Sequence, residues 1–307
     1  MKNSSNKKLT LTVGITTCYG EESILNTVKS IRASKGVDKN FHFILIADRV
    51  PIKSSVKKEL KKYNVRLFEN KVEGSQFKKK KQILALTDTD LIIFTNDDVL
   101  FDQNTLKTVI KEFQKKQKIT LISVNNQPME SNSLVERAIN VGTNIVNRIA
   151  KQWNKGDNYL SIIGRFEATR TIWIKRYFQL KDDVVSSDQY MYFENKKYGG
   201  VYKYLPTVSV YFRNPQSLKE HLRKSSRFQH AKAEMSKYFG YISSEYKIPR
   251  LIFFKAIIGE FLSNPIFFIF YIMISLYTRF FRLPPKESLN PNWQVDTSTK
   301  KVLIDSK

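Results

Sequence analysis

The apolar run Leu91-Ile92-Ile93-Phe94 leads through Thr95 into Asn96, Asp97 and Asp98. Such a run reads as a buried strand, so two adjacent carboxylates stand where its core ends. They repel one another and are costly unless a cation or a hydrogen-bond network holds them. One solution is a divalent metal, since Mg2+ or Mn2+ commonly shares one or two carboxylates with substrate phosphates. Another is local, with Asp97 or Asp98 capping the next turn. Asp48 is a third acid at the end of an apolar run, "FHFILIAD". Lys224 and Arg227 lie on a basic helical stretch. There an arginine offers phosphate bidentate contacts, or both residues form a solvated face. His42, His221 and His230 have no metal-ligand spacing with a cysteine and read as structural.

The surrounding pattern says where these groups stand. Residues 9–16 (LTLTVGIT) predict a β-branched strand in which Gly14 admits a close approach. "YGEESILNTVKSIRAS" predicts an amphipathic helix, with Glu21 and Glu22 suited to its positive N-terminus. "FHFILIAD" is a second strand, "SSVKKELKKY" a helix capped by Ser54 or Ser55, and "VRLFE" a third strand. "SQFKKKKQILAL", "DLIIFT", "DQNTLKTVIKEFQKK" and "ITLISV" continue as helix, strand, helix and strand. Alternation with continuous apolar strands predicts an α/β fold, a mostly parallel sheet flanked by helices. Ligands of such sheets bind beyond the carboxyl ends of the strands, which puts Asp48 and Asn96–Asp98 on one rim. Past residue 125 the pattern loosens. A helix over 133–153 is followed by mixed strand and loop, then by helix, Gly-Gly turn and strand in "SDQYMYFENKKYGGVYKYLPTVSVYF". A basic helix, "SLKEHLRKSSRFQHAKAEMSKYFG", comes last.

The chain has 307 residues, 41% of them hydrophobic and 13% aromatic, which excludes a disordered polymer. Its formal charge of +24 predicts attraction to an anion (nucleic acid, acidic lipid or phosphorylated substrate) or reflects a Lys/Asn-rich composition. A single cysteine, Cys18, rules out an intrachain disulfide and suits a reducing compartment. The basic N-terminus alternates with Thr and reads as a strand, not a signal-peptide core, so the bulk of the chain is expected to face the cytoplasm.

In order along the chain, several stretches resemble family 2 glycosyltransferases of the GT-A fold. Thr17-Cys18-Tyr19-Gly20-Glu21-Glu22 follows the first strand, Asp48 the second, and "FTNDDV" the fourth, while Lys78–Lys81 open the third helix. Asp188 precedes Gly199 by eleven positions. Tyr204, Pro206 and Val210 fit a later strand motif, and Lys224, Arg227 and Phe228 align with a membrane-linked "Q-x-x-R-W" motif. The likeness covers about residues 9–230. It implies a nucleoside-diphosphate sugar held by Thr17, Tyr19, Glu21, Asp48, Lys80, Asn96, Asp97, Lys224 and Arg227. It further implies a divalent cation, Mg2+ or Mn2+, on Asp98, and Asp188 as the base. From the residues alone an N-cap is the other reading of Asp188, and Asp182 and Asp183 are alternative bases. Asn96 stands where the pattern has an acid, which weakens metal binding, and Ser187 stands where it has Glu. Lys224 and Phe228 replace Gln and Trp, so a single-addition enzyme is expected over a processive one. The tail "WQVDTSTKK" resembles the short closing segment of related transferases.

Residues 251–281 are the most apolar of the chain, interrupted by Lys255, Glu260 and Asn264-Pro265. They predict one spanning helix or two short helices hinged at Pro265, with a helix pair packed on the catalytic domain as the alternative. Basic residues on both flanks favour a re-entrant or interfacial hairpin with both ends cytoplasmic. The expected organisation is a GT-A-like catalytic domain over 1–240, with a nucleotide half at about 9–125 and an acceptor half at about 126–240. A hydrophobic membrane-associated segment over 241–285 and a basic tail over 286–307 follow. The expected location is the cytoplasmic face of the cell membrane, held through residues about 250–281 and anionic membrane lipid.

The expected function is an inverting glycosyltransferase moving a sugar from a nucleoside-diphosphate sugar to a hydroxyl of a lipid-linked or cell-envelope glycan. The alternatives are a nucleotidyl- or sugar-phosphate transferase on the same fold, or a non-catalytic nucleic-acid-binding or scaffold protein. No nucleic-acid partner is expected, because no reading motif is present and the lysines are spread around helices.

Overall fold

A computed structural model describes residues 8–19, 22–131, 133–240, 242–292 and 296–301. The predicted strands and helices of the first half form in order. They are β1 (Leu11–Thr17), α1 (Ser23–Arg32), β2 (His42–Ala47), α2 (Ser54–Lys62), β3 (Val65–Glu69), α3 (Gln76–Ala85) and β4 (Leu91–Asn96). A short β5 (Val99–Phe101), α4 (Thr105–Lys115) and β6 (Ile119–Pro128) follow. The second half adds α5 (Leu134–Gln152), β7 (Glu167–Arg170), α6 (Thr171–Tyr177), α7 (Ser187–Lys197), β8 (Val201–Phe212) and α8 (Leu218–Phe239). It closes with α9 (Arg250–Ser263), α10 (Pro265–Phe280) and α11 (Pro285–Ser288).

One eight-stranded sheet runs in the order β3-β2-β1-β4-β7-β6-β8-β5. β1, β2, β3 and β4 are parallel neighbours, so their carboxyl ends share one rim. The sheet is mixed, because β7 lies antiparallel between β4 and β6. The expected parallel run therefore stops at β4, and the 119–128 strand instead pairs in parallel with β8. Both faces are buried. Val13, Ile15, Phe43, Leu45, Leu91 and Ile93 pack towards α1, α2 and α4, and Ile44, Ile46, Ile92 and Phe94 pack on the α3, α5 and α7 side. This two-sided burial explains the unbroken apolar strands. Gly14 is required where α3 crosses β1, since a Cβ there would lie 2.4 Å from the Ile83 side chain. Ser54 opens α2 as its first residue instead of capping it, and the cap position is Lys53, which makes no side-chain cap bond.

The membrane expectation for residues 250–281 is overturned. No described helix is long and apolar enough to cross a membrane. Asn264-Pro265 splits the segment into helices of 14 and 16 residues. At 1.5 Å per residue these reach about 21 and 24 Å, against about 30 Å of hydrocarbon. Both helices dock on α5 instead. Glu260, 1% exposed, accepts from Arg148 Nε at 3.0 Å and Asn144 Nδ2 at 3.0 Å. Tyr271 packs against Gly142, where an added Cβ would come within 2.2 Å of its ring. The faces turned away from α5 keep Leu262, Ile266, Met273 and Phe280 exposed. A Gly142→Ala variant should therefore push α10 off α5 and cost about 1–3 kcal/mol in denaturant titration. An unchanged midpoint would show that the two helices do not rest on each other there.

Candidate active site

At the rim, Thr16, next to last in β1, stands opposite Asn96, the last residue of β4. The chain turns immediately after β4, so Asp97 and Asp98 form the link to β5. Asp97 is 1% exposed. Its Oδ2 accepts from Thr17 Oγ1 at 2.6 Å, and its Oδ1 is ion-paired with Lys300. Lys300 Nζ also lies 3.1 Å from Asp98 Oδ2, which accepts from Thr299 Oγ1 at 3.2 Å. Burial works against the charge on both acids. It pushes Asp97 up, Lys300 opposing. For Asp98 burial is outweighed by Lys300 and Arg165, which hold the carboxyl below its ordinary range.

These residues line a cavity of about 190 Å3 together with Lys79, Arg165, Asp188, Lys224 and Arg227. A second cavity of about 360 Å3 lies beside it between α5, α8 and α10, walled by Tyr159, Tyr246 and Tyr271. Ile163, Arg165, Asp188, Lys224 and Phe228 border both. Asp188 thus stands at the junction. It is the second residue of α7, in the first turn where a helix favours negative charge, and not the N-cap. Its Oδ1 accepts from Gln189 N at 2.9 Å and its Oδ2 from Gly164 N at 3.3 Å. Glu234 of α8 fixes the preceding loop by accepting from Val185 N at 2.6 Å and Ser186 N at 3.1 Å.

Two departures from the family pattern are joined. Gln76 of α3 donates through Nε2 to Asn96 Oδ1 at 3.1 Å and accepts from Ser187 Oγ at 2.7 Å. A neutral chain therefore links β4, α3 and α7 where the pattern would place two acids.

The remaining expected site residues divide. Thr17, Asn96, Asp97, Asp98, Asp188, Lys224 and Arg227 meet at the first cavity. Asp48 is just behind it, accepting from Lys79 Nζ at 2.7 Å and Gly74 N at 3.0 Å. Tyr19 is not among the lining residues; its backbone N–H donates to Thr17 Oγ1 at 3.1 Å. Glu21 lies outside the described residues. Lys80 is a correction. Its Nζ is buried against Glu167 Oε2 at 2.6 Å, among the Phe77 and Phe94 rings, and its neighbour Lys79 faces the cavity. A run of four lysines cannot show which one points outward, because helical phase decides it. Asp182 pairs at the surface with Lys81, and Asp183 accepts from Tyr238 Oη at 2.8 Å, so neither is at the junction. Sequence reading missed Arg165, Gln76 and Lys300. Only the tail's likeness to a closing segment hinted at the last.

Lys224 and Arg227 both face the cavity and are not a solvated face. Burial, and then Arg165, push the Lys224 ammonium well below its usual range. Burial likewise lowers Arg227, with Asp296 and Asp188 opposing. Arg165 is lowered to about 10, burial being the main cause and Asp98 and Asp188 opposing it.

The fit to a divalent ion can be tested on these contacts. Asn96 Oδ1 is engaged by Gln76, Asp97 by Thr17 and Lys300, and Asp98 Oδ2 by Thr299 and Lys300. Of the four carboxylate oxygens of Asp97 and Asp98, only Asp98 Oδ1 is buried without a hydrogen-bond partner among the described residues. No group of three or more His, Cys, Asp or Glu able to hold a metal occurs among them. One free oxygen beside an ammonium is not a divalent site, so with Lys300 in place the residues do not fit that ion.

The rim of parallel strand ends, the paired acids and the basic cavity define a glycosyltransferase of GT-A architecture. The chain belongs to the Glycosyl transferase family 2, whose family description matches residues 12–178. Among solved structures it is similar to the mannosyltransferase PcManGT from Pyrobaculum calidifontis in complex with GDP-Man and Mn2+. That likeness has a TM-score of 0.56 at 12% identity over 92% of this chain and 78% of that one, and is one of fold. It is also similar to S. aureus TarS 1–349 in complex with UDP-GlcNAc, with a TM-score of 0.49 and 12% identity, covering 72% of this chain and 65% of that one. No curated protein matches.

Two variants test the burial of Lys80 and His221. Lys80→Met strands the Glu167 carboxylate and should cost about 3 kcal/mol or more in urea titration, as breaking a buried pair does. His221, bordering the second cavity, is pushed down to about 4 by burial, with Lys224 adding to the effect. Its unfolded value is about 6.5, so the unfolded chain binds the proton more tightly. Stability is then greatest above about pH 6.5 and is lost as pH falls towards 4. His221→Gln should flatten that acid-side loss by about 1–3 kcal/mol; an unaltered pH profile would show that this histidine is not the group responsible.

Proposed function

We propose that this glycosyltransferase moves a sugar from a nucleoside-diphosphate sugar to a hydroxyl of a lipid-linked or cell-envelope glycan, with inversion. The single observation carrying this reading is the position of Asp188 at the junction of the two cavities. The donor occupies the first, its diphosphate towards Lys79, Arg165, Lys224 and Arg227. The acceptor enters the second, where Tyr159, Tyr246 and Phe228 offer faces on which a sugar ring can stack. Residues 9–125 contribute the strand-end rim and Lys79 to the donor site, and 126–240 contribute Arg165, Lys224 and Arg227 to it together with Asp188 and most of the acceptor wall.

In the reaction, the bond from the sugar C1 to the diphosphate breaks and both electrons leave on the diphosphate oxygen. Preorganised cations stabilise that charge, usually the largest catalytic contribution. The acceptor oxygen attacks C1 from the opposite face while Asp188 takes its proton, a contribution of about a hundredfold or more. Asp188 is ready for this because its carboxylate is held by two backbone N–H groups and faces the second cavity. The Mn2+ of the mannosyltransferase complex suggests a divalent cation as one source of positive charge in this architecture. Here Asp97 and Asp98 hold Lys300.

A panel of nucleotide-sugars should yield one that the purified chain turns over with release of nucleoside diphosphate. Release of pyrophosphate would instead mean nucleotidyl transfer. Asp188→Asn should lower turnover at least a hundredfold while leaving donor affinity within a few-fold by calorimetry. Full activity in that variant would remove Asp188 as the base.

A further inference from the structure

Residues 296–300 return from the C-terminal side of the chain to the rim of the sheet. The segment is fastened along α8. Asp296 Oδ1 accepts from Arg223 Nη2 at 3.1 Å. Ser298 N–H donates to Glu220 Oε1 at 3.3 Å and its hydroxyl to Oε2, while its Oγ accepts from Gln216 N at 3.0 Å. Thr299 and Lys300 then reach the two acids that follow β4. A short turn fixed at two points of α8 and at Gln216 just ahead of it presents its lysine as a built part of the cavity, with the Lys300 side chain 12% exposed.

We propose that Lys300 is a catalytic residue of the transfer: its ammonium, seated between Asp97 and Asp98, supplies the positive charge that a divalent ion would bring to the leaving diphosphate. The inference rests on the transferase reading above and adds the cation's identity to it. Charge counting supports it. Lys300 and Arg165 together bring two positive charges to the two acids, as one divalent ion would. Asn96 and Ser187, wired through Gln76, remove the two further acids that the family pattern places nearby, and a monovalent centre has less negative charge to offset. A dication at Asp98 Oδ1 would sit across one carboxylate from an ammonium and be repelled by it. Lys300 exchanges no proton in the step. The C1–oxygen electron pair passes to the diphosphate, the acceptor proton passes to Asp188, and Lys300 stabilises the charge that appears.

The test uses the full chain with the nucleotide-sugar it turns over, in EDTA and in Mn2+, for wild type, Lys300→Met and Lys300→Arg. Nucleoside-diphosphate affinity is measured by calorimetry in the same buffers. Wild type should keep at least half of its turnover in EDTA. Lys300→Met should lose about a hundred- to a thousandfold in kcat, the usual loss for one preorganised charge-stabilising group, and bind the diphosphate more weakly in EDTA. Lys300→Arg should stay within about tenfold of wild type. Melting temperatures confirm that the variants are folded. Wild-type turnover abolished by EDTA and restored by Mn2+ would overturn the inference while leaving the transferase reading intact. So would a Lys300→Met variant faster than wild type in Mn2+, which would make the tail a plug over a metal site. Absence of both turnover and diphosphate binding in every arm would take down the transferase reading itself.

Discussion

Two adjacent carboxylates just past the carboxyl end of β4 are the constraint to which the rest of the site answers. In a protein-like dielectric, like charges at about 4 Å repel by on the order of 4 kcal/mol, and burial adds a desolvation cost. Asp97 is almost fully enclosed, so it cannot relieve that cost by facing water. Thr17 from β1 and Lys300 from the far end of the chain engage it. Arg165, ahead of β7, adds its charge to Asp98. Segments widely separated in sequence thus converge because one pair of acids needs compensation, and the same compensation leaves the cavity basic enough to receive a diphosphate.

The neutral chain Asn96–Gln76–Ser187 gives the departures from the family pattern a physical sense. An acid at either end would place another negative charge beside a pair that already consumes the nearby cations. A glutamine can serve both ends because its amide donates on one side and accepts on the other. The link also ties α7, which carries Asp188, to the strand that leads into the acids, so the proposed base and the proposed diphosphate site keep a fixed separation. Such mutual fixing is what orientation-dependent catalysis requires.

The C-terminal helices show how hydropathy can be ambiguous. The apolar run over 265–277 has the composition of a membrane segment. Its length is interrupted by Asn264-Pro265, and α5 supplies a partner. Glu260 reads as a blemish in a spanning helix, yet in the structure it is the anchor, buried against Arg148 and Asn144. Gly142 lets the Tyr271 ring lie directly on α5. The helices in turn support one wall of the second cavity, so a segment that looked like a membrane device contributes to the site's shape.

By itself the sequence determined the alternation of strands and helices, the rim at the strand ends, and the family resemblance that singled out Asp98 and Asp188. Those properties are local: apolar period, turn residues and short motifs are written in consecutive positions. Tertiary structure alone decided the insertion of β7, because antiparallel pairing with β4 depends on where a distant loop returns. It decided that Lys79 and not Lys80 faces the cavity, because helical phase against the sheet is set by packing across α3. It decided the fate of residues 250–281, because docking depends on a partner surface that hydropathy does not contain. Above all it decided that Lys300 closes the acid pair across about two hundred residues of sequence, since electrostatic compensation is governed by distance in space and carries no short-range signature in the chain.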